Sequence, residues 1–204
     1  MDSLNIDLLL FDFGGVLVEL GDAPFPAELL RPGVEHRLSR WFSSPVIAKF
    51  ETGQITPGQL VADFKAEVGS DAGDDLLLEH FRRWPVGLYP GVLELLDVLA
   101  NHYRLAALSN SNELHWSRLQ HEFNLLERFE QAFSSHLIYK AKPDKQAFLH
   151  VIDQLDVVPG NVLFFDDSQI NVDAASTLGM VAVKVDGFVE LKAYLEKADL
   201  LPKG

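Results

Sequence analysis

The chain has 204 residues, 48% of them hydrophobic and none of them cysteine, and its formal net charge is −13. This apolar content suffices for a folded core, while the lack of cysteine excludes disulfides, thiolate metal sites and a cysteine nucleophile. The negative charge argues against nucleic acid or an anionic membrane as a partner, because both repel an acidic protein. The sequence has neither a basic, apolar leader nor about 18 consecutive apolar residues, so we expect a soluble cytoplasmic protein, monomer or homodimer.

The first predicted element is an apolar strand that begins at Leu8 and ends at Asp12. A run of four or five apolar residues that meets a turn signal is typical of a strand buried on both faces. Gly14 and Gly15 follow, and because they lack Cβ atoms the backbone there can turn sharply and approach a ligand. Residues 16–22 are predicted to be a short extended flap, after which three prolines mark the point where the chain leaves the sheet.

The middle of the chain, from Pro32 to Pro85, shows helical patterns and no predicted strand. Thr56, Pro57 and Gln59 form a capping arrangement for one helix, and amphipathic segments at 34–50 and 74–84 lie on either side of it. This stretch is predicted to be a small helical unit inserted into the rest of the fold.

After Pro90 the patterns alternate between helix and strand. Strands are predicted at 104–109, 132–135, 161–166 and 181–185, and helices at 111–124, from 143, at 173–178 and at 188–198. Such alternation predicts an α/β fold, a Rossmann-like doubly wound parallel sheet with helices on both faces. We therefore assign residues 1–20 and 88–204 to the sheet core and residues 21–87 to a helical cap domain.

Chemically useful side chains follow four of these strand or loop ends. They are Asp12, Ser109, Asn110, Lys142, Asp166 and Asp167. The carboxyl ends of parallel strands meet at one edge of a sheet, where such folds bind ligands. Carboxylates without histidine or cysteine suit a hard cation such as Mg²⁺, lysine and serine suit phosphoryl oxygens, and a carboxylate nucleophile can form an aspartyl-phosphate.

Four phrases in this order resemble the motifs of the haloacid dehalogenase-like hydrolase superfamily: FDFGGVL, LSNSN, KPD and FFDDSQIN. With the phrase FETGQIT, the chain most resembles the subgroup of glucose-1-phosphate phosphatases and the amino-terminal phosphatase domain of soluble epoxide hydrolases. The resemblance implies a C1-type cap and a Mg²⁺-dependent phosphatase acting on a small phosphorylated metabolite, of which a sugar phosphate is one candidate.

The resemblance also implies a role for each matching residue. Asp12 is expected to be the nucleophile, with Ser109 and Lys142 as further catalytic residues. The implied metal ligands are Asp12, the Gly14 carbonyl, Asp166 and Asp167; the implied substrate-binding residues are Ser109, Asn110, Lys142 and Glu51. Asn171 is expected to orient Lys142 or a metal ligand.

Gly14 departs from the superfamily pattern, in which most phosphatases carry an aspartate there as general acid. Either the leaving group is a good one, or water or Glu51 of the cap supplies the proton. Two alternatives stay open: a 2-haloacid dehalogenase, which needs no metal, and a non-catalytic module that binds a phosphorylated ligand or a partner protein.

Besides Glu51, three residues of the expected cap are candidates for contact with the substrate, namely Trp41, Lys49 and Phe50. The aromatic residues at helical spacing are more typical of the core of the cap. The histidines show no metal-ligand spacing, and His115 and His121 are expected to be solvated on a helix surface.

Overall fold

The computed structural model describes residues 5–30 and 44–202. Within these ranges the strands are β1 (Leu8–Phe11), β2 (Val18–Leu20), β3 (Pro85–Leu88), β4 (Arg104–Ser109), β5 (Gln131–Ser134), β6 (Val162–Asp166) and β7 (Val181–Lys184). The helices are α1 (Pro45–Glu51), α2 (Pro57–Val68), α3 (Asp74–Arg82), α4 (Val92–Leu99), α5 (Glu113–His121), α6 (Ser135–Ile138), α7 (Lys145–Leu155), α8 (Gln169–Ser176) and α9 (Phe188–Lys197). None of the helices in the described residues has the length and apolar character that crossing a membrane requires.

Five strands form the central sheet in the order β5-β4-β1-β6-β7, and every neighbouring pair is parallel. β4 and β6 lie on opposite sides of β1, so the strand order reverses at β1. Open α/β sheets have a crevice at this reversal, beyond the carboxyl ends of the strands. The predicted doubly wound α/β fold is confirmed.

The side chains of β1 alternate between two hydrophobic clusters, and all four are fully buried. Leu9 and Phe11 join the cluster that contains apolar residues of α4, α5 and α9, whereas Leu8 and Leu10 join the cluster that contains residues of α7 and α8. Successive residues of a strand point to opposite faces of the sheet, so helices cover both faces. This explains why the strand is apolar without interruption.

Helices α1, α2 and α3 share a third cluster, whose fully buried members come from residues 25–84. Thr56 caps α2 as predicted: its hydroxyl accepts from the Gln59 amide and the Gln59 side chain accepts from the Thr56 amide. Phe50 is buried in this cluster, as its helical spacing indicated. Trp41 and residues 34–43 of the expected amphipathic segment lie outside the described residues, and the division of the chain into core and cap stays a prediction.

An antiparallel ribbon of β2 and β3 connects the sheet to the three helices, with Val18 opposite Leu88 and Leu20 opposite Pro85. Strand β3 was not predicted, because Pro85 and Gly87 disfavour a strand in the sequence pattern. A two-stranded ribbon tolerates both residues, since its strands have free edges. The short helix α6 was also not predicted, and α8 begins at 169 rather than 173.

Candidate active site

Asp12 follows the central strand β1 and is buried. The Phe13 amide donates to Asp12 Oδ1 at 2.7 Å, which fixes the direction of the carboxylate. Ser109 is the last residue of β4 and Asp166 the last residue of β6, so both neighbours of β1 bring a polar side chain to the same edge. The reversal of strand order therefore brings two of the expected residues, Ser109 and Asp166, to either side of Asp12.

Lys142 lies between two carboxylates. Its Nζ is 3.0 Å from Asp12 Oδ1 and 2.6 Å from Asp166 Oδ2, and only 1% of its side chain is exposed. Burial by itself lowers the pKa of Lys142, but the two carboxylates outweigh it and raise that pKa above its usual value. The ammonium group is therefore charged at neutral pH and compensates part of the negative charge around it.

Backbone and amide contacts fix the position of Lys142. The Asn110 side chain accepts from the Lys142 amide and donates to the Lys142 carbonyl, both at 2.8 Å. Asp166 Oδ1 accepts from the Ser168 amide and from Asn171 Nδ2, both at 2.9 Å. Asn171 thus contacts the carboxylate that pairs with the lysine, and one hydrogen and one lone pair of the Asn110 amide remain for a substrate.

Asp12, Asp166 and Asp167 form a cluster in which one carboxylate oxygen from each lies within 4.8 Å of the others. Burial, partly opposed by Lys142 and reinforced by the other two acids, raises the pKa of Asp12 to about 7. Burial and then the charge of Asp166 raise the pKa of Asp167 to about 6. One lysine therefore does not neutralise the cluster, and an oxygen-only donor set of this charge fits a hard divalent cation.

The two glycines after Asp12 have separate structural reasons. Gly15 has φ of +70°, and a Cβ atom there would lie 2.4 Å from Asp167 Oδ2, so the close approach of this loop to the acid requires glycine. Gly14 lines the cavity, and its carbonyl accepts no hydrogen bond from the described residues. That free carbonyl oxygen is consistent with its expected place in a cation site.

A cavity of about 640 Å³ opens above this edge and is lined by Asp12, Ser109, Lys142 and Asp167. Ser109 is buried, and within the described residues its hydroxyl has no hydrogen-bond partner. A buried hydroxyl without a partner is costly unless a ligand satisfies it. Ser109 is therefore placed to hold a bound polar group.

Glu51, the last residue of α1, reaches the same cavity from the helical unit. The Ser135 hydroxyl contacts the Glu51 carbonyl and accepts from the Ser111 amide at 3.0 Å, so α1 is tied to the loop after Ser109. Burial and then the charge of Asp12 raise the pKa of Glu51 to about 7. Within the described residues its carboxylate has no hydrogen bond or ion pair, whereas its neighbour Lys49 is exposed and does not line the cavity.

The expectation that His115 is solvated was wrong, because it is buried in the cavity wall. Its Nε2 donates to the Phe81 carbonyl at 2.7 Å and its Nδ1 accepts from Asn112 Nδ2 at 3.0 Å. Burial lowers the pKa of His115 to about 4, so the ring is neutral. The burial of His115 and the contacts of Ser111 and Ser135 had no signal in the sequence, because Phe81, which pairs with His115, and Glu51, which pairs with Ser135, come near only in the folded chain.

The sequence gives independent evidence of the family, because the sequence model of the haloacid dehalogenase-like hydrolase family matches residues 6–179. The chain is a haloacid dehalogenase-like hydrolase. The sequence resemblance to this superfamily is thereby confirmed, whereas the finer subgroup stays a prediction.

Relatives of this haloacid dehalogenase-like hydrolase are named as phosphatases. The present chain is 25% identical to D-ribitol-5-phosphate phosphatase of Bacteroides thetaiotaomicron, over 84% of this chain and 87% of the relative. It is 34% identical to phosphoglycolate phosphatase of Nitrosospira multiformis, over 80% and 69% respectively. Among solved structures, it resembles a HAD family enzyme of Bacteroides thetaiotaomicron in complex with magnesium and inorganic phosphate, with a TM-score of 0.74, 26% identity, and coverage of 88% of this chain and 93% of the other.

Proposed function

We propose that this hydrolase is a phosphatase that acts on a small phosphorylated metabolite through an aspartyl-phosphate on Asp12. The observation that carries the proposal is the buried arrangement of Lys142 between Asp12 and Asp166, beside the third acid Asp167. A buried lysine beside a nucleophile and a buried serine without a partner suit the oxygens of a phosphoryl group. The names of the relatives and the phosphate in the neighbouring structure support the same class of reaction.

In the first step, Asp12 Oδ2 attacks phosphorus, because Oδ1 is already held by the Phe13 amide and by Lys142. A P–O bond to aspartate forms as the P–O bond to the organic group breaks. Lys142 and the Ser109 hydroxyl hold the phosphoryl oxygens, and Asn171 keeps Asp166 aimed at the lysine. Water then attacks the aspartyl-phosphate, which releases inorganic phosphate and restores Asp12.

The residues that would hold a divalent cation, Mg²⁺, are Asp12, Asp167 and the Gly14 carbonyl. Asp166 has already accepted three hydrogen bonds, and one lone pair of Oδ2 remains for the cation. When bound, the cation would offset the repulsion between the nucleophile and an anionic substrate and stabilise charge in the transition state.

Glu51 is proposed to donate the proton to the leaving oxygen, since Gly14 has no proton to give. It lines the same cavity as Asp12, and its pKa of about 7 keeps a large fraction of the carboxyl protonated at neutral pH. After the alcohol has left, the Glu51 carboxylate takes the proton of the attacking water. One residue thus serves as acid and then as base, which is typically worth about 10² to 10⁴ in rate.

A small phosphorylated metabolite is the proposed substrate class, in keeping with the phosphorylated compounds named for the relatives. A sugar phosphate, the candidate from the sequence resemblance, stays a prediction. The acid cluster argues against the dehalogenase alternative, because neighbouring carboxylates suit a divalent cation and the dehalogenase reaction needs no metal.

Phosphate release from p-nitrophenyl phosphate and acetyl phosphate tests the proposal, measured with Mg²⁺ and with excess chelator. We expect turnover that needs the cation and is lost in Asp12→Asn, whose folding is checked by circular dichroism. Asp153→Asn, an exposed acid on α7, is the matched control and should keep wild-type turnover. Equal activity of Asp12→Asn and wild type would refute the assignment of the nucleophile, and chloride release from 2-chloropropionate in chelator would favour the dehalogenase.

A further inference from the structure

The cavity has an apolar wall, which includes Leu20 next to Gly14. It is formed by Val18, Leu20, Ile47, Trp84, Pro85 and Leu119. We infer that the substrate is a phosphomonoester whose organic group is apolar, an aliphatic or aromatic alcohol, and this inference rests on the proposed phosphatase activity. The phosphoryl group would bind at Asp12 and Lys142, and the organic group would cover the apolar wall.

The wall is continuous because neighbouring elements supply it. Leu20 of β2 pairs with Pro85 of β3, and Trp84 directly precedes that strand. Ile47 of α1 packs in the same hydrophobic cluster as Trp84. Leu119 lies one turn after His115 on α5, and the His115 ring contacts Trp84 with ring centroids 6.1 Å apart.

The polar atoms of His115, Trp84 and Thr52, which also line the cavity, are already paired within the protein. Both ring nitrogens of His115 have partners, and Trp84 Nε1 donates to the Gly21 carbonyl at 2.8 Å. The Thr52 hydroxyl donates to the Ala48 carbonyl at 2.6 Å and accepts from Gln54 Nε2 at 2.7 Å. Free polar atoms remain at the phosphoryl end of the cavity, on Glu51, Ser109 and Asn110. A hydroxyl group of a polyol or sugar that is bound against His115, Trp84 and Thr52 would therefore lose water without gaining a partner there.

The physical consequence is discrimination against hydroxyl groups. Each hydroxyl that is buried without a partner weakens binding by about 5- to 100-fold, whereas each buried methylene strengthens it by about fourfold. The preference concerns the organic group alone, since every phosphomonoester presents the same phosphoryl group to Asp12, Ser109 and Lys142.

The test compares cyclohexylmethyl phosphate with glucose 6-phosphate, which place rings of similar size on the same CH₂–O–phosphate linkage. We expect kcat/KM to be at least about 25-fold higher for the cyclohexyl compound, as two or more unpartnered hydroxyls would give. Benzyl phosphate and 3-methylbut-2-enyl phosphate are further arms that distinguish an aromatic from a branched aliphatic group. Acetyl phosphate, whose acyl group is too small to reach the wall, reports the phosphatase chemistry alone.

Two variants on the ribbon complete the test. Leu20→Asn should lower the ratio of the two kcat/KM values by about tenfold, because it places a polar amide on a partly exposed position of the wall. Val86→Asn is the matched control on the same ribbon, since Val86 is 57% exposed and does not line the cavity. If the protein hydrolyses acetyl phosphate but has a kcat/KM for glucose 6-phosphate that equals or exceeds that for cyclohexylmethyl phosphate, the inference is overturned and the phosphatase proposal stands. No hydrolysis of any of these compounds would overturn both.

Discussion

Replacing Lys142 by methionine tests the electrostatics on which the site depends. Methionine keeps most of the side-chain volume but removes the only cation that the described residues place between Asp12 and Asp166. Removing one partner of a buried ion pair typically costs about 3–5 kcal/mol, because a charge is left buried without compensation. We expect this cost in the free energy of unfolding at pH 8 in chelator.

The cost of Lys142→Met should depend on pH in a defined direction. Lysine is the strongest influence that lowers the pKa of Asp12, so the variant's Asp12 should titrate even higher than the value of about 7 in the wild type. A carboxyl whose pKa is raised by folding favours the native state below its unfolded pKa, about 3.8, and loses that stability as the pH rises through the folded pKa. The variant should therefore approach wild-type stability near pH 5 and lose stability steeply toward pH 8.

Urea denaturation followed by tryptophan fluorescence at pH 5 and pH 8 measures both the loss of stability and its dependence on pH. Lys184→Met is the matched control, because Lys184 is 37% exposed and pairs with the exposed Asp186 at 2.6 Å. Such an exposed pair is worth about 0–1 kcal/mol and should show little pH dependence over this range. Lys142→Met within about 1 kcal/mol of wild type at pH 8 would refute the reasoning, since it would mean that Asp12 and Asp166 need no compensation.

Two further predictions concern the acids that face the cavity. Glu51→Gln should lower kcat on an alkyl phosphate by about 10² and remove the fall in kcat above pH 7, because glutamine has no proton to lose. Glu19→Gln, which changes an exposed acid, is the control. An unchanged pH profile of kcat in Glu51→Gln would contradict the role of Glu51. In chelator, the free energy of unfolding of the wild type should fall from pH 4 to pH 8 by up to about 4 kcal/mol more than that of Asp12→Asn. The reason is that folding raises the pKa of Asp12 from 3.8 to about 7, and the stability that goes with this rise is lost as Asp12 ionises. Parallel curves of stability against pH, measured by urea denaturation, would show that Asp12 titrates normally.

Local signals in the sequence were sufficient to predict the sheet and the edge of the sheet at which the candidate site lies. Strand β4 has the predicted bounds because its apolar run is bordered by polar residues on both sides. The Thr56 cap was predictable because its hydroxyl, proline and amide are adjacent in sequence. Asp12 and Asp166 could be expected together because parallel topology alone brings the ends of β1 and β6 to one edge.

Contacts between distant segments could not be predicted in the same way. The pairing of β3 depends on β2, which lies 65 residues earlier, and not on the weak strand pattern around Pro85. His115 is buried only because α5 packs against the end of α3, where the Phe81 carbonyl accepts a hydrogen bond from His115 Nε2. Ser135 contacts Glu51 across 84 residues, so no spacing in the sequence indicates that contact.

The glycine at position 14 lies next to the apolar wall. A Cβ atom on Gly14 would lie 3.2 Å from Leu20 Cδ1, with two further Leu20 carbons within 3.8 Å. Leu20 therefore packs against the position that the first carbon of a side chain at residue 14 would take, and the ribbon pairs Leu20 with Pro85. A larger residue at position 14 would require the Leu20 side chain to shift by a few tenths of an ångström. Because Gly14 has no proton to give, our proposal assigns that role to Glu51, whose carboxyl group α1 brings to the same cavity.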